Sequence, residues 1–122
     1  DHFKSINDQW GHAVGDLALK HFAGILREQL RKSDLAGRVG GEEFAVVLGD
    51  TTRDEAISLA QRIKQRLAQT PLREGEHLIS LTVSIGIAAM GATDISVDAP
   101  LSRSDLALYR AKESGRNRIE YL

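Results

Sequence analysis

The sequence contains no cysteine, so a disulfide scaffold and thiolate-ligated metal sites are excluded. Proline occurs only twice and aromatics make up 5% of the residues, which leaves little material for a proline-rich linker or a stacking platform for nucleic acid bases. Net charge is nearly absent too: 16 Lys+Arg against 17 Asp+Glu gives −1. With a pI near 6.5 and no basic tail, a polyanion groove for DNA or RNA is not expected, while a single nucleotide stays open as a ligand. No apolar run reaches the ~18 to 20 residues needed to cross a bilayer, and no basic stretch followed by an apolar one opens the chain. What remains is 122 residues, 42% of them hydrophobic, enough for one ordinary domain with its own core and for a cytoplasmic setting without membrane contact. The opening DHFKSINDQWGHAVGD has no initiator Met and no strand in front of it, which reads as a piece of something longer.

Hydrophobic spacing organises the chain. Val14, Leu17, Ala18, Phe22, Ile25, Leu26 and Leu30 follow the i, i+3, i+4 rhythm of an amphipathic helix ending near Arg31 to Ser33. Leu35 to Val39 and Phe44 to Leu48 read as a β-hairpin, with Gly40-Gly41 supplying positive φ angles and Glu42 and Glu43 near the tip. Thr52 and Glu55 form a capping box before a second helix that carries Ala56, Leu59, Ala60, Ile63 and Leu67 and stops at Pro71. From His77 to Met90, alternation of Ile79, Leu81, Val83, Ile85 and Ile87 predicts a strand or two, with Gly86 marking a bulge or a close backbone approach. Ser102 with Asp105 would cap a third helix bearing Leu106, Tyr109 and Ala111, Gly115 would end it, and Arg118 to Leu122 would close the fold as a strand. The expected architecture is α+β, a mainly antiparallel central sheet with helices packed on it.

Four groups of polar residues stand out, each with two readings. Glu42 and Glu43 on a turn either hold a hard cation such as Mg²⁺, which takes one or two carboxylates plus substrate phosphates, or face solvent. Asn7 and Asp16 flank a helix N-terminus; they either read guanine's N–H edge or make a local turn and complement the helix dipole. Lys112 and Arg116, four apart at a helix end, grip phosphate or answer the negative end of the dipole. Arg31 and Asp34 bind an anionic guanine-bearing ligand or form a surface ion pair. The histidines lack metal-ligand spacing, and Trp10, Phe22 and Tyr109 read as packing residues.

Taken in order, DHFKSINDQWGHAVGD (1–16), RKSDLAGRVGGEEF (31–44), LTVSIGIA (81–88) and ALYRAKESGRNRI (107–119) resemble the GGDEF family of diguanylate cyclases, in its GGEEF form. The resemblance covers nearly all of residues 1–122 as one domain. It implies a palm-like fold shared with nucleotide cyclases and polymerases, and condensation of two GTP into cyclic di-GMP and two pyrophosphates across an antiparallel homodimer, with Mg²⁺ or Mn²⁺ as cofactor. It further implies Glu42 as metal ligand, with Glu43 beside it in the catalytic turn, and Gly40 and Gly41 as a backbone surface close to GTP. Asn7 and Asp16 would recognise guanine, Phe3, Lys4, Lys112 and Arg116 would lie near the triphosphate, and Arg31 and Asp34 would form the RxxD site where product inhibits. The family pattern also carries an apolar strand before this start, with a metal-binding Asp two residues ahead of the position of Asp1. From that difference we expect impaired metal binding and unpaired ladder groups in the chain as given. A non-catalytic module binding cyclic di-GMP or GTP is the alternative, and a purely structural dimerisation domain would leave the acidic turn without a use.

Overall fold

The computed structural model describes residues 1–91 and 93–122. Its elements run α1 (Phe3–Trp10), α2 (His12–Gln29), β1 (Leu35–Arg38), β2 (Phe44–Val47), α3 (Arg53–Gln69), β3 (Leu72–Glu74), β4 (His77–Ile79), β5 (Ile85–Ile87), α4 (Asp98–Glu113) and β6 (Ile119–Tyr121). The fold class is α+β as expected. The strands form three two-stranded ladders: β1–β2 and β3–β4 antiparallel, and β5–β6 parallel with Ile85 opposite Ile119.

Two elements were not expected. The polar segment before α2 is itself helical, because Ile6 and Trp10, four apart, give α1 an apolar stripe that packs on the cluster of Val14, Ala18, Ile25, Leu67, Leu72, Ile79 and Leu81. Strand β3 precedes the stretch that begins at His77 and turns back on it through Gly75, which sits at φ +58°. A second core cluster of Leu26, Leu59 and Ile63 lies under β2 and β5, and Phe22 and Val83 touch both clusters.

Helix α3 starts where the capping box predicts. Thr52 Oγ1 accepts from the Glu55 amide at 3.2 Å, and the Thr52 amide donates to Glu55 Oε1 at 3.1 Å. Thr52→Ala removes one of these bonds and is expected to cost about 1 kcal/mol, seen as a lower urea midpoint with an unchanged m-value. An unshifted midpoint would refute the assignment.

Helix α4 departs from expectation at its start and in the face it buries. It begins at Asp98, so Ser102 lies inside it; Pro100 falls in the first turn, where a missing N–H costs nothing, and Asp98 answers the positive helix end. Leu106 and Tyr109 are exposed, Tyr109 by 60%, and Ala107 and Ala111 face inward at 0%. Gly86 explains the rotation. A Cβ there would collide with Ser104 O and the Leu108 backbone, so α4 rides directly on β5 and only small side chains fit beneath it. The helix closes in a Schellman motif: Arg116 N donates to Ala111 O at 2.9 Å and Gly115 N to Lys112 O at 3.3 Å, with Gly115 at φ +115°.

Candidate active site

The β1–β2 register, Leu35 opposite Val47 through Arg38 opposite Phe44, places Gly40 to Glu43 at the hairpin tip. The tip closes through Val39 N and Gly40 N, which both donate to Glu43 O, at 2.9 and 3.3 Å. Neither Gly40 nor Gly41 adopts a positive φ, contrary to expectation. The loop is long enough to turn without it, and Arg38 Nε holds the carbonyls of Gly40 and Gly41 at 3.1 and 3.0 Å. A Cβ on Gly41 would meet nothing within 4 Å, so Gly41 leaves bare backbone facing outward, while one on Gly40 would touch the Glu43 side chain at 3.6 Å.

The tip does not stand alone. Glu43 Oε1 lies 3.5 Å from Lys112 Nζ, on the last turn of α4. Glu42, Lys112 and Arg116 all lie close enough to the backbone nitrogen of Asp1 to act on it electrostatically. Residues distant in sequence therefore meet: Asp1, the acidic tip, and the cationic end of α4. The Asp1 carboxylate accepts from Thr82 Oγ1 (2.9 Å), Ser84 Oγ (2.8 Å) and the Asn117 amide (3.1 Å).

Phe3 begins α1 two residues beyond Asp1. The first turn of α1 carries no side-chain cap, so its amides point outward, as does the exposed Lys4. On the same helix, Asn7 packs against Gly15 of α2: a Cβ on Gly15 would collide with Asn7 Oδ1 and come within 3.2 Å of Phe3. Asn7 Oδ1 is buried without a hydrogen-bond partner, an orphaned polar atom of the kind that calls for a ligand or water. Asp16, the next residue after Gly15, is exposed.

Arg31 and Asp34 lie elsewhere, at the base of the hairpin, roughly 13 Å from the tip as judged from a four-residue strand. Arg31 Nη2 reaches Asp34 Oδ1 at 3.1 Å, Gly49 O at 2.7 Å and Thr51 Oγ1 at 2.9 Å. The Arg31 side chain is 53% exposed and that of Asp34 2%, so the guanidinium is presented to solvent by a carboxylate tucked behind it. Hydrogen bonds from the Arg31 side chain, then from its amide, hold Asp34 below the ordinary carboxylate range. A groove of about 540 Å³ runs beside the pair, lined by Leu26, Arg27, Leu30 and Arg38 among others.

The donor set limits the metal chemistry. Among the described residues no group of three or more His, Cys, Asp or Glu is placed to hold an ion. Glu43 is paired with Lys112 and Asp1 is occupied by three donors, whereas Glu42 is exposed and makes no ion pair among the described residues. One free carboxylate suits a hydrated Mg²⁺ or Mn²⁺ that takes its other ligands from substrate phosphates and water. Arg38 and Asp1 were missed as parts of the site. Arg38 acts through the backbone of a turn, and the partners of Asp1 lie too far along the chain for any spacing rule to connect them. No helix among the described residues is long and apolar enough to cross a membrane.

Comparison with known proteins bears on the family and the fold. The family described as diguanylate cyclase, GGDEF domain, matches residues 1–118. Diguanylate cyclase DgcP of Pseudomonas aeruginosa is 43% identical over 120 residues, covering 98% of this chain and 18% of DgcP. The active GGEEF domain of a diguanylate cyclase from Vibrio cholerae superposes with a TM-score of 0.88 at 40% identity, covering 99% of this chain and 76% of that one. The coiled coil and GGDEF domain of DgcB from Caulobacter crescentus, in complex with c-di-GMP, superposes with a TM-score of 0.90 at 28% identity, covering all of this chain and 65% of the other. The chain spans between about a fifth and a third of the curated relatives it matches. A family match over residues 1–118 and a matching fold leave one assignment: the chain belongs to the GGDEF domain family of diguanylate cyclases.

Proposed function

We propose that residues 1–122 form a single catalytic domain that condenses two GTP into cyclic di-GMP and two pyrophosphates, each of two chains contributing one GTP-loaded half-site. The observation that supports it most is the meeting of Glu43 and Lys112 at 3.5 Å, which brings the acidic hairpin tip beside the cationic end of α4. Asn7 and Asp16 take the guanine, the Asp16 carboxylate accepting N1–H and N2–H, which adenine lacks. Lys112, Arg116 and the uncapped first-turn amides of α1 at Phe3 and Lys4 hold the triphosphate.

In the reaction the 3′-oxygen of each GTP bonds to the α-phosphorus of the other, and at each phosphorus the bond to the pyrophosphate oxygen breaks. The hydroxyl proton leaves toward the carboxylates at the tip, Glu42 and Glu43, and Lys112 and Arg116 balance charge on the departing pyrophosphate. Mg²⁺ or Mn²⁺ held by Glu42 would supply Lewis-acid charge at the phosphate. Holding two nucleotides head to tail turns a two-body encounter into a positioned one. Each chain binds one nucleotide in this reading, so the reaction takes two chains, a homodimer.

Arg31 and Asp34 form an inhibitory product site, with Arg31 presented to guanine and phosphate. Arg31→Ala is expected to raise the cyclic di-GMP concentration for half-inhibition by roughly ten-fold or more, the worth of one or two charge-assisted hydrogen bonds. Unchanged inhibition refutes that site.

The exposed guanidinium of Arg31, backed by the Asp34 carboxylate, favours a second reading, a module that binds cyclic di-GMP through this pair without making it. Incubation of the full chain with GTP and Mg²⁺, followed by mass analysis, separates the two. Cyclic di-GMP with two pyrophosphates per product supports the enzyme; binding of cyclic di-GMP with no turnover supports the module.

A further inference from the structure

The turn after α4 is strained in a way the helix end does not explain. Arg116 and Asn117 are consecutive non-glycine residues at φ +65° and +47°, a left-handed conformation that L side chains avoid. The Schellman motif accounts for the amides of Gly115 and Arg116, and Ser114 N donates to Arg110 O at 2.9 Å. The next amide, Asn117 N, donates instead to Asp1 Oδ2 at 3.1 Å. The same carboxylate takes the hydroxyls of Thr82 and Ser84, at 2.9 and 2.8 Å, from the run that leads into β5. Immediately beyond, Ile85 N donates to Arg118 O at 3.0 Å and opens the parallel β5–β6 ladder. Three donors from two distant segments thus converge on one half-buried carboxylate, and the backbone it secures is the one from which Arg116 projects.

We propose that Asp1 is a positioning residue for phosphate recognition: it fixes the left-handed Arg116–Asn117 turn and so aims the Arg116 guanidinium at the nucleotide's phosphates. This rests on the role given to Arg116 above. Thr82 and Ser84 hold the carboxylate's own orientation, each bonding one of its oxygens.

Titration of the chain with a non-hydrolysable GTP analogue and, separately, with guanosine tests it. Asp1→Ala and Arg116→Ala are each expected to weaken binding of the analogue by roughly ten-fold. The double variant should lose no more than either alone, because both remove the same contact. Guanosine, having no phosphate, should bind every variant as it binds the unsubstituted chain. Asp1→Asn, which keeps an acceptor for the Asn117 amide, should restore most of the lost affinity. Hydrogen exchange at the Asn117 amide should quicken in Asp1→Ala and slow again in Asp1→Asn. Equal losses of guanosine and analogue, or additive effects in the double variant, would show a general support of the fold and overturn the proposal. If the unsubstituted chain binds no GTP analogue, the proposed function fails on its own. The Asn117 exchange rate then decides the clamp: quickened exchange in Asp1→Ala upholds it, and unchanged protection overturns it.

Discussion

Replacing Glu42 by Gln is expected to lower the rate of cyclic di-GMP formation by roughly 10³-fold, the scale on which enzymes depend on a single acid–base or charge-stabilising group. The substitution keeps the shape and removes only the charge. Glu42 is exposed at the tip of a hairpin whose closing bonds come from the Val39 and Gly40 amides and from Arg38, none of which involves the Glu42 side chain. Stability should therefore be unchanged, and GTP affinity in the absence of metal should survive because the residues proposed to take guanine, Asn7 and Asp16, lie elsewhere. Glu43→Gln is the informative companion. Glu43 is paired with Lys112, so its loss frees a cation as well as removing an acid. Turnover of Glu42→Gln within ten-fold of the parent, measured by product mass at saturating GTP and Mg²⁺, would sink the assignment of Glu42 as the ion-holding carboxylate.

The largest expected effect on stability comes from a single methyl group. Gly86→Ala places a Cβ against Ser104 O and within 2.9 Å of Leu108 Cα, where every obstructing atom is backbone and no side-chain rotation relieves the clash. The helix must lift from the strand, stripping cover from Ala107 and Ala111. Overpacking of this kind costs about 3 kcal/mol, at the upper end of the usual range, and that is a large part of the 5–15 kcal/mol by which domains are ordinarily stable. In a thermal melt the midpoint should fall by roughly 10 °C. Gly24→Ala is the control: its Cβ would meet nothing within 4 Å in the middle of α2, so the better helix former should leave stability unchanged or raise it slightly. Equal midpoints for the two variants would remove the close approach of α4 to β5 as the reason for glycine at this position.

How far the sequence could be read depended on how local the deciding interaction was. The capping box of Thr52 and Glu55, the β1–β2 hairpin and the glycine end of α4 all depend on neighbours within a few residues, and each stands where the spacing put it. Helix α1 was hidden because only Ile6 and Trp10 mark its buried side, too few for a period to emerge from a polar stretch. The buried face of α4 was misjudged because the choice between Leu106 and Ala107 is made by Gly86, on another element. At the site, the acids and cations were legible as residue types in suspicious places. Their meeting was implied only by the resemblance to a family and by no spacing rule, since the 3.5 Å contact between Glu43 and Lys112 is a product of the tertiary fold. Arg38 was passed over for a related reason: its role is to hold carbonyls, a task any long donor can perform and no motif records.

The convergence on Asp1 also has a kinetic side. Its partners lie 81, 83 and 116 residues along the chain, so closing those contacts costs more chain entropy than closing a local turn. The hairpin, by contrast, joins residues only a few positions apart and can form early. A ribosome would therefore release the acidic tip into the cell well before the turn bearing Arg116 exists. The proposed nucleotide site becomes a late product of folding, assembled only once the two extremes of the described chain have found each other.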